Sequence, residues 1–182
     1  MTELEQALIQ AASAFEDCSL PFMLIGGLAV AAWGEPRSTL DVDLAVWADA
    51  SQVPAAVDCL CARFRSRTAN PLQFVESTRV LPLECASGIR LDIVFGVLPL
   101  QHEAIRRSVT KSIAGKNIPV ASVEDLILMK LVSERRKDLD DARGLLRRFG
   151  PTLDRAYLLP KLEELAEALA RPDILENFRN ET

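Results

Sequence analysis

The chain has 182 residues, 49% of them apolar and 26% charged, the profile of one soluble globular domain with room for a small helical appendage; a two-domain enzyme of ordinary size and a disordered chain are excluded. Twenty-one basic residues against twenty-six acidic give a net charge of −5, so the long-range field does not draw the whole molecule to a polyanion. No stretch approaches the ~20 uninterrupted apolar residues of a membrane span, and the opening MTELEQAL is acidic where a secretory leader is basic and then apolar; the chain is expected in the cytoplasm, away from membranes.

In chain order, Thr2 with Glu5 has capping-box spacing, and Leu4, Leu8, Ala11, Ala12 and Phe15 recur at helical intervals, which predicts a helix over 3–17. PFMLIG, 21–26, reads as a short buried strand. The Gly26-Gly27 pair leads into LAVAAW, an apolar helical stretch closed by Gly34 and Pro36. In LDVDLAVWA, Leu40, Val42, Leu44 and Val46 share one face of a strand, and Asp41, Asp43 and Ala45 share the other.

A helix over 51–63 follows, then strands over 79–84 and 89–95 joined by a tight CASG turn. In the second strand Leu91, Ile93 and Phe95 face one way and Asp92 the other. A short helix near 99–107 and a turn at AGKN precede the segment from Ser122 to Phe149, which reads as helix with a serine cap and acids in its first turn. Gly150-Pro151 ends it, 154–169 makes one more amphipathic helix, and the remainder reads as a polar tail.

The four cysteines, Cys18, Cys59, Cys61 and Cys85, and the single histidine, His102, lack the spacing of a zinc site, so the cysteines are expected as buried free thiols. The alternating Arg63, Arg65 and Arg67 and the run Arg135, Arg136, Lys137 read as solvated faces.

One constellation carries chemistry. Two aspartates on one strand face bring their carboxylates within several ångströms, where like charges repel unless a cation lies between them. Asp92, on the wet side of another strand, completes the cluster if the two strands are neighbours; Glu84 on the preceding strand is the other candidate for third acid, with poorer phase. Oxygen-only ligands of this kind suit Mg²⁺ or Mn²⁺. Gly26 and Gly27, between a strand and a helix, offer backbone N–H groups to a phosphate, and Arg37 with Ser38 and Thr39 stands where it can hold phosphate oxygens against the metal. In this order the residues describe a site for a nucleoside triphosphate.

The segment GGLAVAAWGEPRSTLDVDLAV resembles the signature of the nucleotidyltransferase superfamily that includes DNA polymerase beta: a Gly-Gly turn, a short helix, D-x-D, and a third aspartate on a later strand. Its G-x-x-R-x-T-x-D-x-D form is most similar to AbiEii-like nucleotidyltransferases of abortive-infection and toxin–antitoxin systems. KLVSERRKDLDDARGLL resembles the helical motif of the same branch, with Lys130, Arg135, Lys137, Asp138 and Asp141 at the matching positions. On one unbroken helix Lys130, Glu134, Lys137 and Asp141 would share a stripe.

The resemblance implies an α/β (α+β) fold, a small mixed sheet flanked by helices, with a catalytic core over 1–120 and a helical region over 121–182 packed on it and closing over the nucleotide. It implies that Asp41, Asp43 and Asp92 bind the metal and carry catalysis, and that Gly26, Gly27, Arg37, Ser38, Thr39, Lys130, Lys137 and Asp141 contact the nucleotide. A nucleoside monophosphate would pass from a triphosphate to a hydroxyl of RNA (tRNA among the candidates), a protein or a small molecule, with a cognate toxin or antitoxin as partner. An antibiotic-modifying nucleotidyltransferase and a non-catalytic partner protein of the same fold are the alternatives. Leu28 departs from the pattern by offering no hydroxyl directly after the glycines.

Overall fold

A seven-stranded mixed sheet organises the first part of the chain in the computed structural model, which describes residues 1–35 and 37–180. Helix α1 (Glu3–Asp17) is held at its start by the expected capping box: Thr2 Oγ1 accepts from the Glu5 N–H at 3.1 Å, and Glu5 Oε2 accepts from the Thr2 N–H at 2.7 Å. Strand β1 (Phe22–Ile25) runs directly into α2 (Gly26–Ala32), and β2 (Asp41–Trp47) carries the paired aspartates. Then come α3 (Val53–Cys61), the two-residue β3 (Arg65–Ser66), α4 (Pro71–Thr78), β4 (Val80–Glu84), β5 (Arg90–Gly96), α5 (Pro99–Arg106), β6 (Val109–Ile113) and β7 (Lys116–Val120).

The strand order is β3-β4-β5-β2-β1-β7-β6, with β2–β5 and β1–β7 parallel and the remaining pairs antiparallel. Apolar residues on the central strands make the core: Leu24, Val42, Leu44, Leu91, Ile93, Ile118 and Val120 are fully buried. Ala45 is buried as well, although it shares its strand face with the aspartates. The wet part of that face is therefore short and sits at the start of β2.

Residues 33–35 and those from Ser122 onward group into a second compact unit. It holds α6 (Val123–Val132), α7 (Arg136–Phe149), a 3-10 turn (Gly150–Thr152), α8 (Arg155–Ala168) and α9 (Asp173–Arg179). Ser122 caps α6, its hydroxyl accepting from the Asp125 N–H at 3.1 Å. Buried Asp125 in turn accepts from Tyr157 Oη of α8 at 2.7 Å.

Three sequence expectations are corrected. The segment from Ser122 to Phe149 is two helices, because Ser133 and Arg135 adopt extended backbone between them. On a continuous helix, residues eight apart stand about 12 Å apart along the axis; the break instead lets Lys130 of α6 reach Asp138 of α7. The polar tail contains α9, whose Ile174 and Phe178 are buried. Two of the four cysteines are joined, Cys18 to Cys59, with their Cα atoms 6.1 Å apart; Cys61 and Cys85 are free. Among the described residues no helix is long and apolar enough to cross a membrane.

Candidate active site

The strand register decides which acids meet. In the parallel pair β2–β5, Asp43 stands opposite Asp92 and Asp41 opposite Arg90, so all three aspartates lie on one face, Asp43 and Asp92 on strands about 4.8 Å apart. Each is partly exposed. Like charges directly opposite one another on a sheet are destabilising without a counter-charge, and one is near: Arg67 Nη1 lies 3.6 Å from Asp92 Oδ1.

Arg67 continues the row. Its backbone N–H donates to the Pro82 carbonyl at 2.9 Å, and Pro82 pairs with Asp92. The row across the sheet thus reads Arg67, Pro82, Asp92, Asp43, Ile25. Beside it runs a second row on the same face: Arg65, Glu84, Arg90, Asp41. Glu84 is held by Arg65, whose Nη2 donates to Oε1 at 2.5 Å, which separates it from the aspartates that pair across β2 and β5.

The glycine turn closes the other side. Gly26 has φ +68°, and a β-carbon there would stand 2.0 Å from Asp43 Oδ2. One at Gly27 would stand 3.0 Å from Cβ of Thr39. The Thr39 hydroxyl donates to Asp41 Oδ1 at 2.6 Å, and Arg37 donates to the Ser38 carbonyl. The structure therefore gathers Gly26, Gly27, Thr39, Asp41, Asp43 and Asp92, with Arg37 and Ser38 in the segment leading into β2. Sequence reasoning passed over Arg67; its signal was the Arg63, Arg65, Arg67 alternation, read as a solvated face.

The second unit contains the other predicted group. Lys130, 7% exposed in its side chain, contacts Asp138 Oδ1 at 2.5 Å and Asp141 Oδ2 at 2.9 Å. Asp138 also accepts from the Ser133 hydroxyl at 2.7 Å and from Arg135 Nε at 2.6 Å. Burial pushes the Asp138 carboxyl up, but hydrogen bonds from Lys130 and Ser133 and the charges of Lys130 and Arg135 outweigh it, holding its pKa below the usual value. Lys137 is exposed on α7 and Glu134 lies in the break, so no common stripe joins them to Lys130.

Residues 8–181 match the family described as "Nucleotidyl transferase AbiEii toxin, Type IV TA system". The chain belongs to the AbiEii nucleotidyltransferase family. Solved structures share the fold of this AbiEii-family enzyme at low identity. One is ANT(2")-Ia in complex with adenylyl-2"-tobramycin, 18% identical over 92% of this chain and 97% of that chain, with a TM-score of 0.58. A second is the lincosamide antibiotic adenylyltransferase LnuA with lincomycin bound, 18% identical over 80% and 96%, with a TM-score of 0.54. A third is an antigenic nucleotidyltransferase-like protein from Paracoccidioides brasiliensis, 17% identical over 97% and 92%, with a TM-score of 0.53. No curated protein matches the chain in sequence.

The donors that this nucleotidyltransferase offers on the sheet face are carboxylate oxygens, the chemistry of a hard divalent cation. Among the described residues no three acids, histidines or cysteines stand together as a finished metal cage. Mg²⁺ does not need one, since it commonly takes one or two carboxylates and completes its octahedron with water and substrate phosphates. The residues fit the ion in that mode.

Proposed function

We propose that this nucleotidyltransferase moves a nucleoside monophosphate from a nucleoside triphosphate to an acceptor hydroxyl, with Mg²⁺ or Mn²⁺ held by Asp41 and Asp43 and with Asp92 as the base beside them, and that it acts as the toxin of a toxin–antitoxin pair with a cognate partner. The observation that carries the chemistry is the parallel register of Asp43 with Asp92, with Asp41 two residues earlier on the same face. The toxin role rests on the family match.

In this reading the acceptor oxygen attacks the α-phosphorus in line, a new P–O bond forms, and the bond to the bridging oxygen breaks as pyrophosphate leaves. The Asp92 carboxylate takes the proton of the attacking hydroxyl. Arg37, with Ser38 and Thr39, holds phosphate oxygens, and the Thr39 hydroxyl fixes the Asp41 carboxylate through its 2.6 Å hydrogen bond. Gly26 keeps the backbone beside Asp43 clear of a side chain, and Gly27 does the same beside Thr39. The bound divalent ion supplies positive charge against the charge that develops on the phosphoryl oxygens. Lys130, Lys137 and Asp141 are assigned to the nucleotide by the family pattern alone.

The test is transfer of label from α-labelled triphosphates to RNA, protein and small-molecule acceptors, alongside Asp41→Ala and Asp43→Ala. Label transfer that requires Mg²⁺ or Mn²⁺ and vanishes in both variants supports the reading. Transfer that survives both substitutions removes the proposed site.

A further inference from the structure

The two rows on the site face are asymmetric in charge. Toward β1 lie the glycine turn and the segment of Arg37; toward β3 lie Arg65, Arg67 and Arg90, grouped around Glu84. The Glu84 carboxyl is held below the usual range, first by the hydrogen bond from Arg65, with desolvation opposing, and then by the charges of Arg65, Arg67 and Arg90. Arg65 pairs with Glu84, Arg90 stands opposite Glu84 in the register, and Arg67 pairs with Asp92, so three guanidiniums stand immediately beside the aspartates. They are reachable from solvent, Arg65 with 69% and Arg67 with 32% of the side chain exposed.

We propose that Arg65, Arg67 and Arg90 form a phosphate-binding subsite on the acceptor side of the aspartates, built for an acceptor that carries phosphodiesters. The inference rests on the function proposed above and narrows its acceptor class. In an in-line displacement the attacking and leaving oxygens lie on opposite sides of the phosphorus. With the triphosphate tail toward Gly26, Gly27 and Arg37, the acceptor enters from the β5–β4–β3 side, where the arginines stand.

Their present pairings leave capacity for a ligand. Exposed ion pairs such as Arg65–Glu84 and Arg67–Asp92 are weak, and each guanidinium has five N–H donors in a fork that matches phosphate oxygens. A polycationic acceptor is repelled by the same cluster. The net charge of −5 makes the attraction local, confined to about one Debye length at physiological salt.

The experiment measures binding of a fluorescein-labelled single-stranded RNA to the full chain across about 50–200 mM salt, and of magnesium tripolyphosphate by calorimetry. The triple variant Arg65→Gln, Arg67→Gln, Arg90→Gln is expected to lose at least about tenfold in RNA affinity, with a log–log salt slope shallower by about 2. Tripolyphosphate affinity is expected to stay within about twofold of the parent, a change below about 0.5 kcal/mol. Glu84→Gln, which removes the competing carboxylate, is expected to tighten RNA binding severalfold, a gain that a damaged fold does not give. The proposal is overturned if the parent chain does not bind the RNA, or if the triple variant binds it with unchanged affinity and slope. It is also overturned if tripolyphosphate affinity falls instead, which would assign the arginines to the nucleotide. Failure of the catalytic reading is seen separately, as label transfer that persists in Asp43→Ala.

Discussion

A β-carbon placed on Gly26 would lie 2.0 Å from Oδ2, 2.6 Å from Cγ and 2.7 Å from Cβ of Asp43, so the glycine exists as much for the aspartate as for its own left-handed backbone. The two demands predict the behaviour of Gly26→Ala. A non-glycine residue at φ +68° costs about 1–2 kcal/mol, and the Asp43 side chain must also leave its position. Loss of stability by thermal denaturation and loss of nucleotide transfer are expected together. In a double-mutant cycle with Asp43→Gly, which removes all three contacting atoms, the two stability losses are expected to be less than additive by at least about 0.5 kcal/mol. Strict additivity would show that the contact carries no energy.

Asp92→Asn separates two roles of the site. If its carboxylate takes the acceptor proton, kcat is expected to fall at least about 100-fold while triphosphate binding persists, whereas Asp43→Asn loses both. Glu84→Gln is not expected to abolish the chemistry, since Arg65 already engages that carboxylate. Steady-state kinetics paired with calorimetric binding checks all three variants.

The second unit is predicted to be sensitive at Lys130. Lys130→Met leaves Asp138 and Asp141 without their shared cation in a buried setting, and removing one partner of a buried pair costs about 3–5 kcal/mol. Urea unfolding measures the loss. The lowered Asp138 pKa adds a pH dependence of defined sign: its stabilisation is full above the unfolded-state value near about 3.9 and is lost as pH falls through the lower folded-state value. Asp138→Asn is expected to flatten this acid limb while lowering stability at neutral pH.

The Cys18–Cys59 bond spans 41 residues, and closing a loop of that length restricts the unfolded chain by about 4 kcal/mol in the chain-entropy model, with about 2–4 kcal/mol the usual range. Oxidised protein is expected to melt several degrees above the same protein in reductant. The Cys18→Ser, Cys59→Ser double variant is expected to melt alike in both, and a redox-dependent shift in it would assign the effect to Cys61 or Cys85.

Much of this molecule is legible in the sequence wherever one period dominates. The box at Thr2 and Glu5 and the alternation in β2 and β5 set those elements nearly to the residue, because each depends on neighbours a few positions away. What escaped depends on long-range packing. Helix α4 buries only Val75 and edge strand β6 is mostly exposed, so neither carries an apolar period. The Cys18–Cys59 pair has no local signal, and the break at Ser133–Arg135 is set by Asp138, which collects three donors only after α7 has folded back. At the site, the common phase of Asp41 and Asp43 on one strand and the wet-side phase of Asp92 on another can be read from the chain, whereas the position of Arg67 beside Asp92, across Pro82, follows from a strand too short to announce itself.

The row from Ile25 to Asp92 also sets an order of events in folding. Lys130 finds its partners 8 and 11 residues away, a local closure with small entropy cost, whereas Asp43 must wait for β5 and all the chain between. Amides of α6 and α7 are therefore expected to gain protection in pulsed hydrogen exchange before those of β5. An emerging chain carries the glycine turn and the first two aspartates well before the third, so the face that unites them is assembled only once β5 has been made and zipped in.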